Sequence, residues 1–303
     1  MPLLREQAEL LSNNQLVAGV IDQIIERDDL FQVLPFQGVS GKAYVYNRED
    51  SLGGASFLDP NDAVPEASAT FTEVVAKLRI LAGDVDVDKF LQQTMGDTND
   101  QMAIQIAKKA KSIARAFHQT LACGNSAVDP KSFDGLPTLA AAAPSTQNIK
   151  AGTNGNNLTL TMLDELCDAV PNGADVIVMR RGTIRAFRAL LRATYGTDAV
   201  MQQLENFGRP MLTHNGIPVI MNEFLSPAEA LGTATATTSV YALRLNELDG
   251  LHGLYGGDNA GIVVENIGTV QNKDATRIRL KWYTGLALKS SRSIARLAGV
   301  TNI

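Results

Sequence analysis

Residues 41–81, GKAYVYNREDSLGGASFLDPNDAVPEASATFTEVVAKLRIL, decide how the chain is organised. Residues 41–47 and 68–81 have strand composition, with β-branched and aromatic side chains at close intervals. The roughly twenty residues between them are rich in Gly, Pro, Asp and Asn, and a structureless loop of that length is unusual inside a compact domain. The pattern predicts a long two-stranded excursion with an irregular tip. At ~3.3 Å per residue, legs of about 10 to 15 residues reach roughly 30–50 Å from the body. An isolated hairpin is only marginally stable in water, so this one is expected to lie on another subunit. Leu52, Phe57 and Leu58 are the candidate contacts at its tip, with ordinary exposed turn residues as the alternative.

Upstream, the first segment reads as an arm. Asn13 or Asn14 can cap a helix whose apolar residues Val17, Val20, Ile21, Ile24 and Ile25 follow helical spacing. The pattern breaks at Asp28-Asp29, and residues 30–36 are expected to run extended because the residue before Pro35 disfavours helix. So apolar a short helix needs a partner surface, in this subunit or a neighbour, which makes Val17, Ile21 and Ile24 further candidate inter-subunit contacts.

Downstream, residues 97–123 give the strongest local signal. Asp97 or Thr98 is the expected cap, Thr98 with Gln101 forming a capping-box pattern. Met102, Ile106, Ala110, Ile113, Phe117 and Leu121 form one stripe, and Gly124 is the stop. Lys108, Lys109, Lys111 and Arg115 lie largely off the stripe and read as a solvated or salt-bridged face, with nucleic acid as the alternative. The second half alternates: helix over 158–170, strand over 174–179, helix over 183–195, and strands over 217–221, 239–245, 261–266 and 277–290. Arg180, Arg181, Arg185, Arg188 and Arg192 make the 183–195 region basic, through solvation or inter-subunit salt bridges, or as an anion site. The end of the chain, RSIARLAGV, reads as a short tail, basic from Lys273 onward.

Composition is that of a globular chain: 303 residues, 45% hydrophobic, 19% charged, formal net charge −5. That balance argues against a nucleic-acid surface spread over the whole chain. No apolar run approaches the ~18 residues of a membrane helix, no export signal is expected at the start, and Cys123 and Cys167 make no disulfide framework. A soluble protein of a reducing compartment is the expectation.

Catalytic signatures are sparse. His118, His214 and His252 are far apart, no HExxH or CxxC occurs, and Gly41-Lys42 lacks the flanking residues of a phosphate loop. Residues 152–155 read as a surface loop rather than a nucleotide-binding turn, and no G-x-S-x-G elbow exists. His118 reads as a core or solvated imidazole. No catalytic residue, metal or cofactor is expected.

Four passages carry a family resemblance: LPFQGVSGKAYVYNRED, AKLRILAGDVDVDKFLQQT with the long helix after it, LACGNSAVDPKSFDGLPTL, and RLKWYTGLALKSSRSIARLAGV, with NGIPVIMNEF between the last two. In this order and spacing the chain resembles the major capsid proteins of tailed bacteriophages, with the Hong Kong 97-type fold, an α+β architecture. The resemblance implies an N-terminal arm at 1–38 and an extended loop at 39–78. A peripheral domain would comprise 79–149 and 266–303, with spine helix 97–123, and an axial α/β domain would span 150–265. It implies a self-assembling, non-enzymatic shell subunit, forming pentamers and hexamers of an icosahedral virion assembled in the host bacterial cytoplasm. Its partners would be other copies of itself, a separate scaffolding protein and a portal during assembly, and packaged double-stranded DNA bound without sequence preference, with no membrane. The basic spine and tail would lie nearer the genome. The fold begins near residue 39, so an uncleaved N-terminus is expected, and deleting 48–67 should spare folding but not assembly.

Some members of that family join neighbouring subunits by a Lys–Asn isopeptide bond on the extended loop. Here the loop's lysines are Lys42 and Lys77, both at its base, so Asn47 and Asn61 lack a deliverable amine partner and no cross-link is expected. An encapsulin, which shares the fold but encloses protein cargo, is the alternative. An α/β enzyme built on 158–195 is the rival of a different class.

Overall fold

The computed structural model describes residues 30–60, 62–94, 100–195, 201–203, 210–257 and 261–303. Two sheets share one central core. In the first, the strand order is β1 (Phe36–Val39), β12 (Leu251–Gly256), β14 (Ala275–Leu288), β13 (Val263–Thr269), and β4 (Arg79–Asp88) also pairs with β14. The second runs β5 (Asn148–Lys150), β15 (Ile294–Val300), β11 (Ala234–Leu243), β6 (Val176–Met179), β9 (Ile217–Met221), β8 (Pro210–His214), β7 (Met201–Gln203), with β10 (Glu229–Leu231) beside β11. β2 (Ala43–Ser51) and β3 (Thr70–Lys77) form a separate two-stranded ribbon.

The spine helix, Gln101–Cys123, is about 35 Å long at ~1.5 Å per residue. Its cap is Asp100, whose side chain accepts from the Met102 and Ala103 amides. This corrects the expected cap at Asp97 or Thr98, which lie outside the described residues. The helix ends at Gly124 as expected, though without a left-handed turn. Glycine is required there because a Cβ would meet the Thr120 carbonyl at 2.4 Å and the Phe133 carbonyl at 2.5 Å.

The helix buries Ile113, Phe117 and Leu121 against Val85 and Val87 of β4 and Ile278, Leu280 and Trp282 of β14. Alternation along the strands explains why the second sheet is apolar on both faces. Val176, Val178, Tyr241 and Leu243 join the spine-helix core, while Ile177, Met179, Val240 and Ala242 face a second cluster. That cluster is closed by Leu163 and Leu166 of helix Leu160–Asp168 and Phe187 and Leu191 of helix Arg181–Tyr195.

Several expectations are corrected by the pairing. β12 and the first three residues of β13 lie within 150–265 yet belong to the sheet that packs on the spine helix. β15 lies within 266–303 yet joins the second sheet, between β5 and β11, so the tail is a central strand. Leu30–Val33 is a single helical turn rather than extended chain, with Leu30 and Leu34 buried in the core. The expected strand over 68–81 is two strands broken at Leu78, where the ribbon leaves the body.

The cations at the basic end of the chain find partners within the subunit. On the outer face of the first sheet, Arg277 stands opposite Asp86 and Arg279 opposite Asp84. Both pairs are bidentate: Arg277 donates to Asp86 at 2.6 and 2.7 Å, Arg279 to Asp84 at 2.8 and 2.9 Å. Lys281 pairs with Glu265 on β13. These cations are therefore matched inside the subunit.

The hydrogen bonds from the arginines hold both aspartates below the usual carboxylate value, against some opposing desolvation. Groups of that kind contribute stability above their unfolded pKa and lose it as pH falls through the folded one. Thermal stability is therefore expected to drop once pH passes below about 4. An Asp84→Asn/Asp86→Asn variant should start lower at pH 7 and fall less steeply on acidification. Parallel melting-temperature curves against pH for the two proteins would contradict this.

Candidate assembly surface

The ribbon β2–β3 leaves the body as an antiparallel pair whose register runs from Ala43 opposite Lys77 to Ser51 opposite Thr70. Its lower half is fastened to its own subunit. The Tyr46 hydroxyl donates to the Leu288 carbonyl at 2.6 Å, and the Arg48 guanidinium donates to the carbonyls of Leu288 and Lys289 at 2.8 and 2.9 Å. The Tyr44 ring meets His252 edge-on at 6.1 Å and lies under the Lys289 ammonium at 5.3 Å. Burial pushes the His252 pKa down, with Lys289 adding to that shift, so the imidazole is neutral near pH 7. The lower half of the excursion is thus bracketed to its own body.

The tip is different. Leu52 is 78% exposed, Phe57 is fully exposed, and Leu58, Val64 and Phe71 are exposed as well. All three expected tip contacts are therefore exposed residues of the chain between Ser51 and Thr70. Between Arg48 and Lys77 the chain carries the acids Glu49, Asp50, Asp59, Asp62, Glu66 and Glu73 and no base. Val17, Ile21 and Ile24 lie outside the described residues.

At the foot of the ribbon is an open groove of about 760 Å³, lined by Lys42, Leu78, Arg79, Ile80, Tyr255 and Tyr283 among others. It marks the apolar end of the outer face that carries the ion pairs. Ile80 is 73% exposed although it sits in a ten-residue strand. Apart from Lys42, none of these groove residues was singled out in the sequence, because β4 and β14 are about 200 residues apart and only their pairing creates the groove.

The arginine-rich stretch is engaged in part within the subunit. Arg180 donates to the carbonyls of Glu223 and Leu225, Arg181 lies 3.5 Å from Glu223, and Arg185 donates to the Ile303 carbonyl at 3.2 Å. His118 stacks on Phe224 at 5.9 Å, as a core-edge imidazole would. Lys109 crosses β4 over Gly83, where a Cβ would meet its Cε at 2.1 Å, and adds to the field that keeps Asp84 ionised. Among the described residues, no group of three or more His, Cys, Asp or Glu is placed to hold a metal ion. No described helix is long and apolar enough to cross a membrane.

No family model matches the chain, and no curated protein matches it. Solved structures do. The SrpI encapsulin complex from Synechococcus elongatus PCC 7942 superposes with a TM-score of 0.73 at 20% identity, covering 99% of this chain and 97% of that one. The capsid of a native GTA particle gives 0.69 at 16% identity, covering 96% of each chain. The cyanophage A-1(L) capsid gives 0.67 at 15% identity, covering 97% of this chain and 98% of that one. A spine helix crossed by one sheet, a second sheet beyond it and a ribbon reaching outward are thus overlaid across nearly the whole chain, which has the Hong Kong 97-type fold.

Proposed function

We propose that this chain is a major capsid protein, the subunit of an icosahedral virion shell that encloses double-stranded DNA. The observation that carries the reading is the ribbon: bracketed to its own subunit at the base, acidic and apolar at an exposed tip, on a fold that phage capsids share. In this reading the spine-helix sheet is the peripheral part of each subunit and the second sheet the axial part, ringing the five-fold and six-fold axes. The partners are other copies of the chain, with a scaffolding protein and portal during assembly in the host cytoplasm and non-specifically held DNA afterwards. No catalysis is assigned to it.

Electron microscopy of the purified protein tests the reading. Closed shells are expected, filled with DNA when recovered from infected cells. Small discrete oligomers would overturn it in favour of an enzyme. A second reading, an encapsulin shell, is favoured by the SrpI superposition and by the internal matching of the tail cations; small cages holding protein would decide for it.

The shells are expected to lack covalent cross-links. Lys42 and Lys77 both stand at the foot of the ribbon, Lys77 opposite Ala43, far from the tip that would have to carry an amine to a neighbour. Boiled in detergent, mature shells should run as one band near 32.5 kDa. A ladder that resists reductant would contradict this and would point first to Lys42.

A further inference from the structure

We propose that the groove at the foot of the ribbon binds a small aromatic anion of the nucleoside monophosphate class, its phosphate held by Arg79 and Lys42 and its ring by Tyr255 and Tyr283. The inference goes beyond the shell reading, and its test does not depend on assembly.

Charge carries the argument. Where β4, β14 and β13 run side by side, Arg277, Arg279 and Lys281 are matched by Asp86, Asp84 and Glu265. At the ribbon foot the described lining residues include Lys42 and Arg79 and no acid. The Leu78 amide donates to the Lys42 carbonyl at 3.3 Å, which brings Lys42 beside Arg79 at one end of the groove. The Arg79 Nε is buried and has no hydrogen-bond partner among the described residues. A buried donor on a cation is costly to leave unpaired. Its natural partner is an anion from outside, which a guanidinium fork takes through two parallel bonds.

Shape selects the rest of the ligand. At about 760 Å³ the groove is in the size range of small-molecule sites, which combine apolar and aromatic walls with a few polar groups. Its walls include Leu78, Ile80 and the two tyrosines. Two glycines let those rings lie close to the backbone. A Cβ on Gly38 would stand 3.1 Å from the Tyr255 phenol oxygen, and one on Gly256 would stand 3.3 Å from the Tyr283 Cβ. A flat ring that ends in a phosphate uses both features. Inorganic phosphate would leave the walls uncovered, and an uncharged ring would leave Arg79 unpaired.

The test is equilibrium dialysis of the full-length protein against adenosine monophosphate, adenosine and inorganic phosphate. Adenosine monophosphate is expected to bind with a Kd below about 1 mM, at least about tenfold tighter than either fragment. Lys42→Met and Arg79→Met should each weaken it about tenfold, the scale of a lost hydrogen bond to a charged group, and leave adenosine unchanged. Tyr255→Ala should weaken adenosine monophosphate and adenosine alike and leave phosphate unchanged. Lys131→Met, at an exposed lysine elsewhere, should bind as the parent does. Lys42 is exposed, so its variant reads the site even where a buried substitution alters folding, which melting temperatures check. Phosphate bound as tightly as adenosine monophosphate, or no retention of the nucleotide at millimolar concentration, overturns the site. Nucleotide binding that both methionine variants leave intact overturns it equally.

Discussion

Replacing residues 52–69 by an Asn-Gly turn is expected to leave a folded subunit that builds no shells. Ser51 and Thr70 face each other across the ribbon, their hydroxyls 2.7 Å apart, so a two-residue turn can close the shortened hairpin. The bracket formed by Tyr46 and Arg48 stays in place, which is why this excision is preferred to one beginning at residue 48. Nothing removed is part of either buried core. The melting temperature of the subunit should therefore move by no more than about 2 °C, the scale of a surface change in a chain of this size. In the proposed shell the loss for assembly would be large because the same contact would recur at every subunit of every ring. Electron microscopy and calorimetry on one preparation read both outcomes, and normal shells from the shortened protein would refute the role given to the tip.

The second large effect concerns folding alone. Phe117 is fully buried at the meeting point of the spine helix, the first sheet and the arm, with ring centroids 4.7 Å from Trp282, 5.4 Å from Phe133 and 6.2 Å from Phe36. Truncating such a residue removes its transfer energy and leaves a cavity, about 3–5 kcal/mol for Phe→Ala. At about 2–4 °C per kcal/mol, Phe117→Ala should melt roughly 10 °C or more below the parent. Phe117→Leu, which retains most of the volume, should recover over half of that. A fall of under about 3 °C for the alanine variant would mean that this junction is not where the subunit is held together.

What could be read in the sequence was what repeats locally. The spine-helix stripe from Met102 to Leu121 and the alternation of β14 are patterns in consecutive residues, and both elements are where the spacing puts them. The stop at Gly124 was legible too, but the start was not, because the run DTND holds several residues able to cap and only the fold selects Asp100. Strand β12, LHGLYG, was hidden by its glycines. Gly253 is there for close approach, since a Cβ would stand 2.4 Å from the Phe36 ring. β15 was hidden by its partners, which lie near residues 148 and 240 and leave no local trace of the pairing. The candidate surface divides the same way. Leu52, Phe57 and Leu58 could be picked out because they interrupt a polar turn region, whereas the bracket at residues 288–289 and the groove at Ile80 and Tyr283 exist only once strands some 200 residues apart have paired.

The two sheets are each completed by a strand made late. β14 joins β4, β12 and β13, and β15 separates β5 from β11. Pairing of β4 with β14 ties Asp88 to Ala275. At roughly 5–20 residues per second of synthesis, the first strand waits some 10–40 s for the second to leave the ribosome. Until residues 275–300 have emerged, the ribbon has no backbone carbonyls at 288 and 289 to hold it and the groove has no Tyr283 wall. An unfinished chain thus lacks the hold that sets its ribbon, and if ribbons join subunits as proposed, only finished chains could enter a ring.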